Sequence, residues 1–434
     1  MSRSIANKNY KFNLPVFILI LSVYTSGHVV LVDTMGIRLI LQLLMMIFMF
    51  LYILSSTQKG MSKHGFVVLF VVASSMISEL LIRGDINNIL GYGLSIALIF
   101  ILLIMKYRDV INFIETINRI NYVLAIIAII GLVLSISSSN IYDALLSRAD
   151  YYNPSFLSGM SGWSLLGHAD TWNDMLGEKV PRIVAHLQQA SLVPAYFLLP
   201  LSISLAFSSV NKLHIVFFIL LFVLLSMGGS SYVSLFMCLL IYIFINYIPR
   251  QVLILAPFIL LSISLILLGY LYIDIYDIEL IKEVSRGVAF DYSEDLDDNV
   301  LNNRMTSAVA RLSLMGFQAI GFIENFPLPA GEKLTNMTIG GNVMTNALRA
   351  GVIGLIATIV MYYVLFTSIT NHLIKYKSSN KVKRFGLSLL YVLIFQSFLY
   401  NDYGFSTYYG YIMYTVIILL SYYDTRQASK KLCI

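Results

Sequence analysis

Long apolar stretches separated by short polar connections run along almost the whole chain. A helix needs about 20 consecutive apolar residues to cross the hydrocarbon core of a bilayer. Twelve such segments can be placed, at residues 13–32, 37–55, 65–82, 87–105, 121–139, 188–208, 213–229, 231–248, 252–273, 341–370, 385–400 and 404–423. The pattern therefore predicts an all-α, polytopic integral membrane protein in which residues 1–434 form a single membrane domain.

One apolar stretch is too long for a single span. Residues 213–248 are interrupted only by the sequence Gly228-Gly229-Ser230-Ser231. Since this stretch is nearly twice as long as a single span of about 20 residues requires, we expect two helices joined by a tight hairpin at the glycines.

Two connections between spans are long, at residues 140–187 and 274–340. Long ordered connections are where binding and catalytic residues concentrate. In the second, apolar residues recur with helical periodicity at Met305, Val309, Leu312 and Phe317. We therefore expect short helices lying on the membrane surface within these two large loops.

Composition supports a membrane location. Hydrophobic residues make up 58% of the chain and charged residues only 12%, about half the charged fraction of a typical soluble domain. The two cysteines, Cys238 and Cys433, are too few for a disulfide framework or a cysteine metal site.

The distribution of charge predicts the orientation of the chain. If the N-terminus is cytoplasmic, the segments on that side carry 18 of the 29 Lys and Arg residues. The same segments contain three acidic residues, Asp109, Glu115 and Asp424. Cytoplasmic loops of membrane proteins carry this excess of basic residues, so both termini are predicted to be cytoplasmic and both long loops periplasmic. The net charge of +6 is explained by this asymmetry and does not predict a nucleic-acid partner.

Polar residues follow a helical spacing at the entry to the span 188–208. On a helix, Arg182, His186 and Gln189 would fall at i, i+4 and i+7 and share one face. Such side chains either anchor a helix at the headgroups or face a partner or cavity. The directed histidine and glutamine favour a binding site for an anionic ligand at the membrane surface.

The second long loop and the span that follows it carry similar patterns. Asn342, Asn346 and Arg349 repeat the same spacing at the start of the span 341–370, and Arg304 and Arg311 lie seven residues apart. Planar guanidinium groups suit bidentate contacts with phosphate oxygens. Together these three segments predict a membrane-bound ligand that carries a pyrophosphate.

The order of these features resembles the Wzy-type O-antigen polymerase and O-antigen ligase superfamily of bacterial envelope glycosyltransferases. Three segments carry the resemblance: VPRIVAHLQQASLVPAYFLL (180–199), LLSMGGSSYVSLFM (224–237) and RLSLMGFQAIGFIENFPLPAGEKLTNMTIGGNVMTNALRAGVIGL (311–355). The chain departs from the family pattern where Tyr232 follows Ser231, a position at which arginine is common. Residues 274–350 also lack the histidine that ligases of this superfamily carry, which favours a polymerase over a ligase.

The resemblance implies an enzyme of the bacterial inner membrane that acts at the periplasmic face without nucleotide sugars, metals or cofactors. It would transfer a glycan from one undecaprenyl-diphosphate carrier to the sugar of a second carrier-linked repeat unit. Membrane lipid and a chain-length-regulating co-polymerase are the further partners that the resemblance allows.

This reaction needs cations for the diphosphate leaving group and a base for the acceptor hydroxyl. We assign the diphosphate to Arg182, Arg304 and Arg311, with Arg349 as a weaker candidate, and the sugar to Gln189, Asn342 and Asn346. His186 is the first candidate for the base, followed by Glu324 and Asp402. Asp402 lies between the last two spans, where its position favours a turn residue over a catalytic carboxylate.

Two other functions remain open. One is a ligase that transfers the glycan to a lipid A core. The other is a flippase for lipid-linked oligosaccharides or another twelve-span transporter, which would be expected to show broken helices and polar groups near the middle of the bilayer.

Overall fold

The computed structural model describes most of the apolar segments of the chain. The described residues are 13–24, 45, 47–49, 51–52, 65–83, 86–137, 163–164, 167–175, 178–185, 187, 192–208, 213–226, 228–275, 322–323, 325–329, 342–376, 380–399 and 408–432. All statements about the fold refer to these residues.

Helices dominate the described residues. They are α1 (Leu14–Tyr24), α2 (Gly65–Arg83), α3 (Ile86–Ile104), α4 (Tyr107–Ser137), α5 (Leu199–Phe207), α6 (Leu213–Leu225), α7 (Gly229–Phe244), α8 (Arg250–Ile275), α9 (Asn342–Lys375), α10 (Lys381–Leu399) and α11 (Tyr408–Leu432). A π-helical turn, Pro194–Leu198, leads directly into α5.

Three helical segments within the described residues are long and apolar enough to cross a membrane. They are Tyr107–Leu134, Asn342–Lys375 and Lys381–Leu399. The chain is therefore a helical membrane protein, as the apolar pattern predicted. The number of twelve spans and their orientation stay predictions.

Two of the predicted spans coincide closely with observed helices, and one predicted helix break is confirmed. Helices α2 and α3 begin and end within one residue of the predicted spans 65–82 and 87–105. Helix α6 ends at Leu225 and α7 begins at Gly229, so the break between two helices lies at the predicted glycines.

Helix α4 begins well before the predicted span 121–139 because its first part is amphipathic. Val110, Phe113 and Ile117 are buried, whereas Asn112 and Arg119 are exposed. Apolar residues at i, i+3 and i+7 place one face of a helix against the core. A search for uniformly apolar segments misses such a helix.

A small antiparallel sheet lies in the segment predicted as the first long loop. Its strands are β1 (Trp163–Ser164), β2 (Gly167–Met175) and β3 (Glu178–Ala185). Strand β2 pairs with both neighbours, and the β2–β3 register is irregular between Ala169 and Trp172. Strand β3 packs against α4, which attaches the sheet to the helical bundle.

The core of the bundle is formed by α5, α9, α10 and α11. Helix α5 packs against α10 and α4, while α9 packs against α2, α10 and α11. The largest fully buried side chains include Tyr196, Tyr362, Tyr409 and Tyr414. A buried tyrosine hydroxyl needs a hydrogen-bond partner, so this core carries a polar network within an apolar bundle.

Candidate functional site

Helix α9 is broken at Gly351, which adopts φ 62° and ψ −152°. Asn346 Nδ2 donates to Thr358 Oγ1 over 3.0 Å, and Asn342 Nδ2 donates to Tyr362 Oη over 3.1 Å. In a straight helix with a rise of 1.5 Å per residue these pairs would lie about 18 and 30 Å apart. The chain therefore reverses at Gly351, and the short arm 342–350 lies antiparallel against the long arm 352–375.

The reversal is held by a short segment of the second long loop. The backbone N–H of Val352 donates to the carbonyl oxygen of Pro327 over 3.1 Å. A Cβ at Gly351 would lie 2.5 Å from that same carbonyl oxygen. Because only glycine adopts this backbone conformation readily and leaves this space open, residue 351 fixes where the loop docks on α9.

Asn346 is the centre of a buried polar network between the two arms of α9 and α11. Its Nδ2 also lies 3.1 Å from Asn342 Oδ1 and 3.2 Å from Tyr411 Oη. Asn342 and Asn346 are 0% and 2% exposed. Buried amides are stable in an apolar bundle only when they are hydrogen-bonded, so these contacts hold the short arm in place.

Tyr362 extends the network to α10 and α11. Its hydroxyl lies 2.9 Å from Ser397 Oγ and 3.0 Å from Tyr414 Oη, and Tyr414 donates to Ser397 over 3.1 Å. All of these groups are neutral, so the network can orient helices but offers no charge for catalysis.

Two members of this network, Asn342 and Asn346, are candidate sugar contacts in the sequence analysis, whereas five members are not predicted there. The missed residues are Thr358, Tyr362, Ser397, Tyr411 and Tyr414. Thr358 and Tyr362 lie at i and i+4, and Tyr411 and Tyr414 at i and i+3. This spacing puts each pair on one helix face and could have revealed them.

A second set of hydrogen bonds satisfies the entry to α5. Pro200 has no N–H and therefore cannot donate to a carbonyl of the preceding turn. Asn121 Nδ2 donates to the carbonyl of Tyr196 over 2.7 Å, and Tyr24 Oη donates to Asn121 Oδ1 over 3.1 Å. The Asn121 side chain thus links α1 and α4 to the entry of α5.

In a π-helical turn the carbonyl of Ala195 would accept from the N–H of residue 200, which Pro200 does not have. Tyr409 Oη donates to this carbonyl over 2.9 Å. The Tyr409 ring also stacks on Tyr196, with centroids 4.2 Å apart and planes inclined by 6°. These contacts attach α11 to the start of α5.

The far end of α9 carries a cluster of ionisable groups around Asp424. Asp424 Oδ2 lies 2.8 Å from Lys375 Nζ and 3.2 Å from both Tyr376 Oη and His372 Nδ1. His372 is buried, and its Nε2 lies 3.2 Å from the carbonyl oxygen of Ser421. The contacts with His372 and then Lys375 hold the pKa of the Asp424 carboxyl well below its usual range.

Replacement of Asp424 by asparagine is expected to lower the stability of the protein by about 2 kcal/mol, because hydrogen bonds to a charged group are lost. Since the pKa is lowered in the folded state, this contribution is complete above the unfolded pKa of about 4 and is lost as the pH falls further. Thermal unfolding in detergent at pH 4 to 7 measures it. The Tm difference between the wild type and Asp424→Asn should stay constant down to about pH 4.

Lys375→Met is the matched comparison for this prediction. Lys375 is 39% exposed, and exposed ion pairs contribute about 0–1 kcal/mol. An equal loss of stability in Lys375→Met and Asp424→Asn would contradict the view that His372 is the main partner of Asp424.

The structure corrects the predicted arrangement of Arg182. It lies in strand β3 (Glu178–Ala185) and is therefore not a helical residue. Ile183, Ala185 and Leu187 are all buried, which is the alternation of a strand with one face covered. This two-residue period competes with the helical spacing and prevails here.

The predicted spacing of Asn342, Asn346 and Arg349 holds on the short arm of α9, but its direction is reversed. The prediction placed Asn342 at the start of the span and Arg349 further in. Because the chain turns back at Gly351, Arg349 lies beside the turn, and Asn342 lies beside Tyr362 of the long arm.

The other predicted site residues lie outside the described residues. They are His186, Gln189, Arg304, Arg311, Glu324 and Asp402. The surface helix expected around Met305–Phe317 also lies outside them. In the part of the chain that the structure describes, no three His, Cys, Asp or Glu side chains are grouped as metal ligands.

No protein-family model, no curated protein and no solved structure matches this chain.

Proposed function

We propose that this protein is a membrane glycosyltransferase that polymerises undecaprenyl-diphosphate-linked oligosaccharide repeat units into O-antigen or a related surface polysaccharide. Its place would be the bacterial inner membrane, with twelve spans and both termini in the cytoplasm. The glycan would pass from its lipid diphosphate to a new lipid-linked unit at the periplasmic face. The resemblance in the three quoted segments suggests this reaction.

The observation that carries the proposal is the position of Arg349. It is half-buried on the short arm of α9, two residues before the turn on which the second long loop docks. Among the described residues no carboxylate forms an ion pair with Arg349. An arginine without a carboxylate partner at the edge of an apolar bundle is suited to bind an anionic group of a ligand.

We infer from the charge asymmetry of the sequence that this turn lies at the periplasmic end of α9. The opposite end carries Lys375 and continues into the basic residues Lys381, Lys383 and Arg384, which the positive-inside rule assigns to the cytoplasm. The second long loop, with Arg304 and Arg311, is anchored at the turn through Pro327. We therefore place Arg304 and Arg311 of this loop and Arg349 of α9 around the lipid diphosphate.

The chemistry requires these cations. The bond between the anomeric carbon and the phosphate oxygen of the donor breaks, and a bond from the acceptor hydroxyl oxygen to that carbon forms. Negative charge develops on the departing diphosphate and is stabilised by preorganised guanidinium groups. In this proposal Arg182, Arg304 and Arg311 join Arg349 in that role.

The acceptor hydroxyl loses its proton to a base, for which His186 is the first candidate and Glu324 and Asp402 are the next. Gln189 remains a candidate for contact with the sugar. Asn342 and Asn346 are closed within the network, so in the proposed enzyme they position the arm that carries Arg349.

Replacement of Arg349 by alanine is expected to abolish the polysaccharide ladder in a polymerase-null strain complemented with this gene. Loss of one preorganised contact to developing charge costs about 10²–10³-fold in rate. Arg182→Ala and Arg304→Ala should have the same effect. The measurement is the surface polysaccharide ladder on a gel, with each variant at matched membrane levels.

Arg119→Ala is the matched control, because Arg119 is exposed on the amphipathic part of α4 and lies on the predicted cytoplasmic side. It should keep the full ladder. A normal ladder in Arg349→Ala, Arg182→Ala and Arg304→Ala would refute the proposed site. These arginines would then serve only to anchor the chain at the membrane surface.

A flippase for lipid-linked oligosaccharides is the second candidate, and the broken helix α9 favours it. Transporters commonly place interrupted helices and polar groups near the middle of the bilayer. Helix α9 is likewise interrupted at Gly351, and a buried polar network surrounds Asn346 beside the interruption. Cells without a polymerase accumulate single repeat units on the outer side of the membrane, whereas cells without a flippase retain them inside. Complementation of each null strain distinguishes the two functions and also tests the ligase.

A further inference from the structure

A small cleft lies between α4, α5 and α6, away from the broken part of α9. Its volume is about 30 Å³, with Leu201 and Ile215 in its apolar walls. The polar side chains that line it are Glu115, Asn118 and Ser204. A space of this size holds one water molecule or one small ion.

Asn118 contributes an acceptor without a partner. Its Nδ2 donates to the carbonyl oxygen of Pro200 over 3.0 Å, and the residue is 3% exposed. Its Oδ1 is buried and has no hydrogen-bond partner among the described residues. The amide cannot be reversed, because Oδ1 would then face the Pro200 carbonyl oxygen. A buried acceptor left without a partner is costly, which indicates that a further group satisfies Asn118.

Glu115 adds a negative charge to the same cleft. Its carboxylate accepts a hydrogen bond from Ser208 Oγ over 2.7 Å. Ser208 directly follows the last residue of α5, where the helix dipole is negative and disfavours a second negative charge. No Lys, Arg or His of the described ranges forms an ion pair with Glu115.

We propose that this cleft binds a monovalent cation of about the size of sodium. The carboxylate of Glu115 and the amide oxygen of Asn118 are hard oxygen ligands, and the carbonyl end of a helix is a common environment for Na⁺ in membrane proteins. A water molecule would satisfy Asn118 but, unlike a cation, would not offset the negative charge of Glu115, which has no ion-pair partner among the described residues. Mg²⁺ is not favoured, because it keeps near-ideal octahedral geometry and several waters that do not fit here.

This site is independent of the proposed glycan transfer. It lies on the part of α4 that precedes the predicted span 121–139, towards the predicted cytoplasmic side. The bound cation would connect α4 to the end of α5 and to the start of α6. Its binding is therefore expected to stabilise the folded bundle, and stability is the property to measure.

Sodium is expected to raise the Tm of the purified full-length protein in detergent by about 3 °C, because a ligand that binds only the folded state stabilises it. The measurement compares NaCl with N-methyl-D-glucamine chloride at equal ionic strength, so that general screening is the same in both salts. Glu115→Gln should remove the difference between the salts. Asp109→Asn should keep it, because Asp109 lies on the same helix but pairs with Asn13 outside the cleft.

An equal Tm of the wild type in both salts would show that the cleft holds only water and would overturn the proposal. A sodium response that persists in Glu115→Gln would overturn it as well, because the cation would then bind elsewhere. If Glu115→Gln does not fold, Glu115→Asp is the alternative variant. It keeps the negative charge but moves the carboxylate away from the cleft by the length of one methylene group. The sodium concentration for half of the Tm shift should then rise about tenfold, and an unchanged concentration would contradict the site.

Discussion

Replacement of Gly351 by alanine is expected to cost about 3 kcal/mol or more of stability, enough to deplete the folded protein in the membrane. The backbone conformation at φ 62° and ψ −152° is disfavoured by about 1–3 kcal/mol for residues with a Cβ. The new Cβ would also lie 2.5 Å from the Pro327 carbonyl oxygen and 3.0 Å from Leu328 C and Pro329 N. These contacts are with backbone atoms, so no change of rotamer relieves them.

Gly93→Ala is the matched control, since a Cβ at Gly93 would have no atom within 4 Å. In a helix, alanine in place of glycine is expected to be neutral or to stabilise by about 0.5–1 kcal/mol. The measurement is the yield of monodisperse protein in detergent together with its Tm. Equal yields and equal Tm values for Gly351→Ala and Gly93→Ala would refute the account of the turn.

The span boundaries of α2 and α3 could be predicted because these segments are uniformly apolar along their length. The start of α4 could not be predicted in the same way, since its first turns bury only one face. Hydropathy detects total apolar content, whereas such a helix is recognised only by its 3.6-residue period.

The reversal of α9 depends on contacts that are distant in the sequence. Residues 341–370 have enough apolar content for one continuous span, and nothing in that pattern marks Gly351. The turn exists because a loop segment around Pro327 occupies the space beside the glycine. Local patterns do not contain this information.

The site residues illustrate the same limit. Asn342 and Asn346 were predicted from polarity within an apolar segment, and their shared helix face is confirmed by the contact between their side chains. Their buried tyrosine partners were missed because tyrosine is counted as apolar in a search for spans. The segment around Arg182 fits both a helical spacing and the strand alternation of Ile183, Ala185 and Leu187, and the pairing of β3 with β2 selects the strand.

Replacement of Asn346 by aspartate is expected to cost several kcal/mol, although the two side chains have almost the same shape. The substitution leaves no cavity, so its effect reports polarity alone. Asn346 Nδ2 has two hydrogens to share among Thr358, Asn342 and Tyr411, and in the variant it is replaced by an oxygen that cannot donate. The new negative charge is buried at a position only 2% exposed, and burial of an unpaired charge is strongly unfavourable.

The same substitution at an exposed position provides the control. Asn112 lies on the exposed face of α4, and surface substitutions of this kind change stability by less than about 0.5 kcal/mol. Thermal unfolding in detergent compares Asn346→Asp and Asn112→Asp. If both variants kept the Tm of the wild type, the buried network would not be what holds the short arm of α9, and the position of Arg349 would need another cause. A decrease in Tm in Asn346→Asp alone would instead show that the buried amide and tyrosine groups hold the short arm, and therefore Arg349, in position.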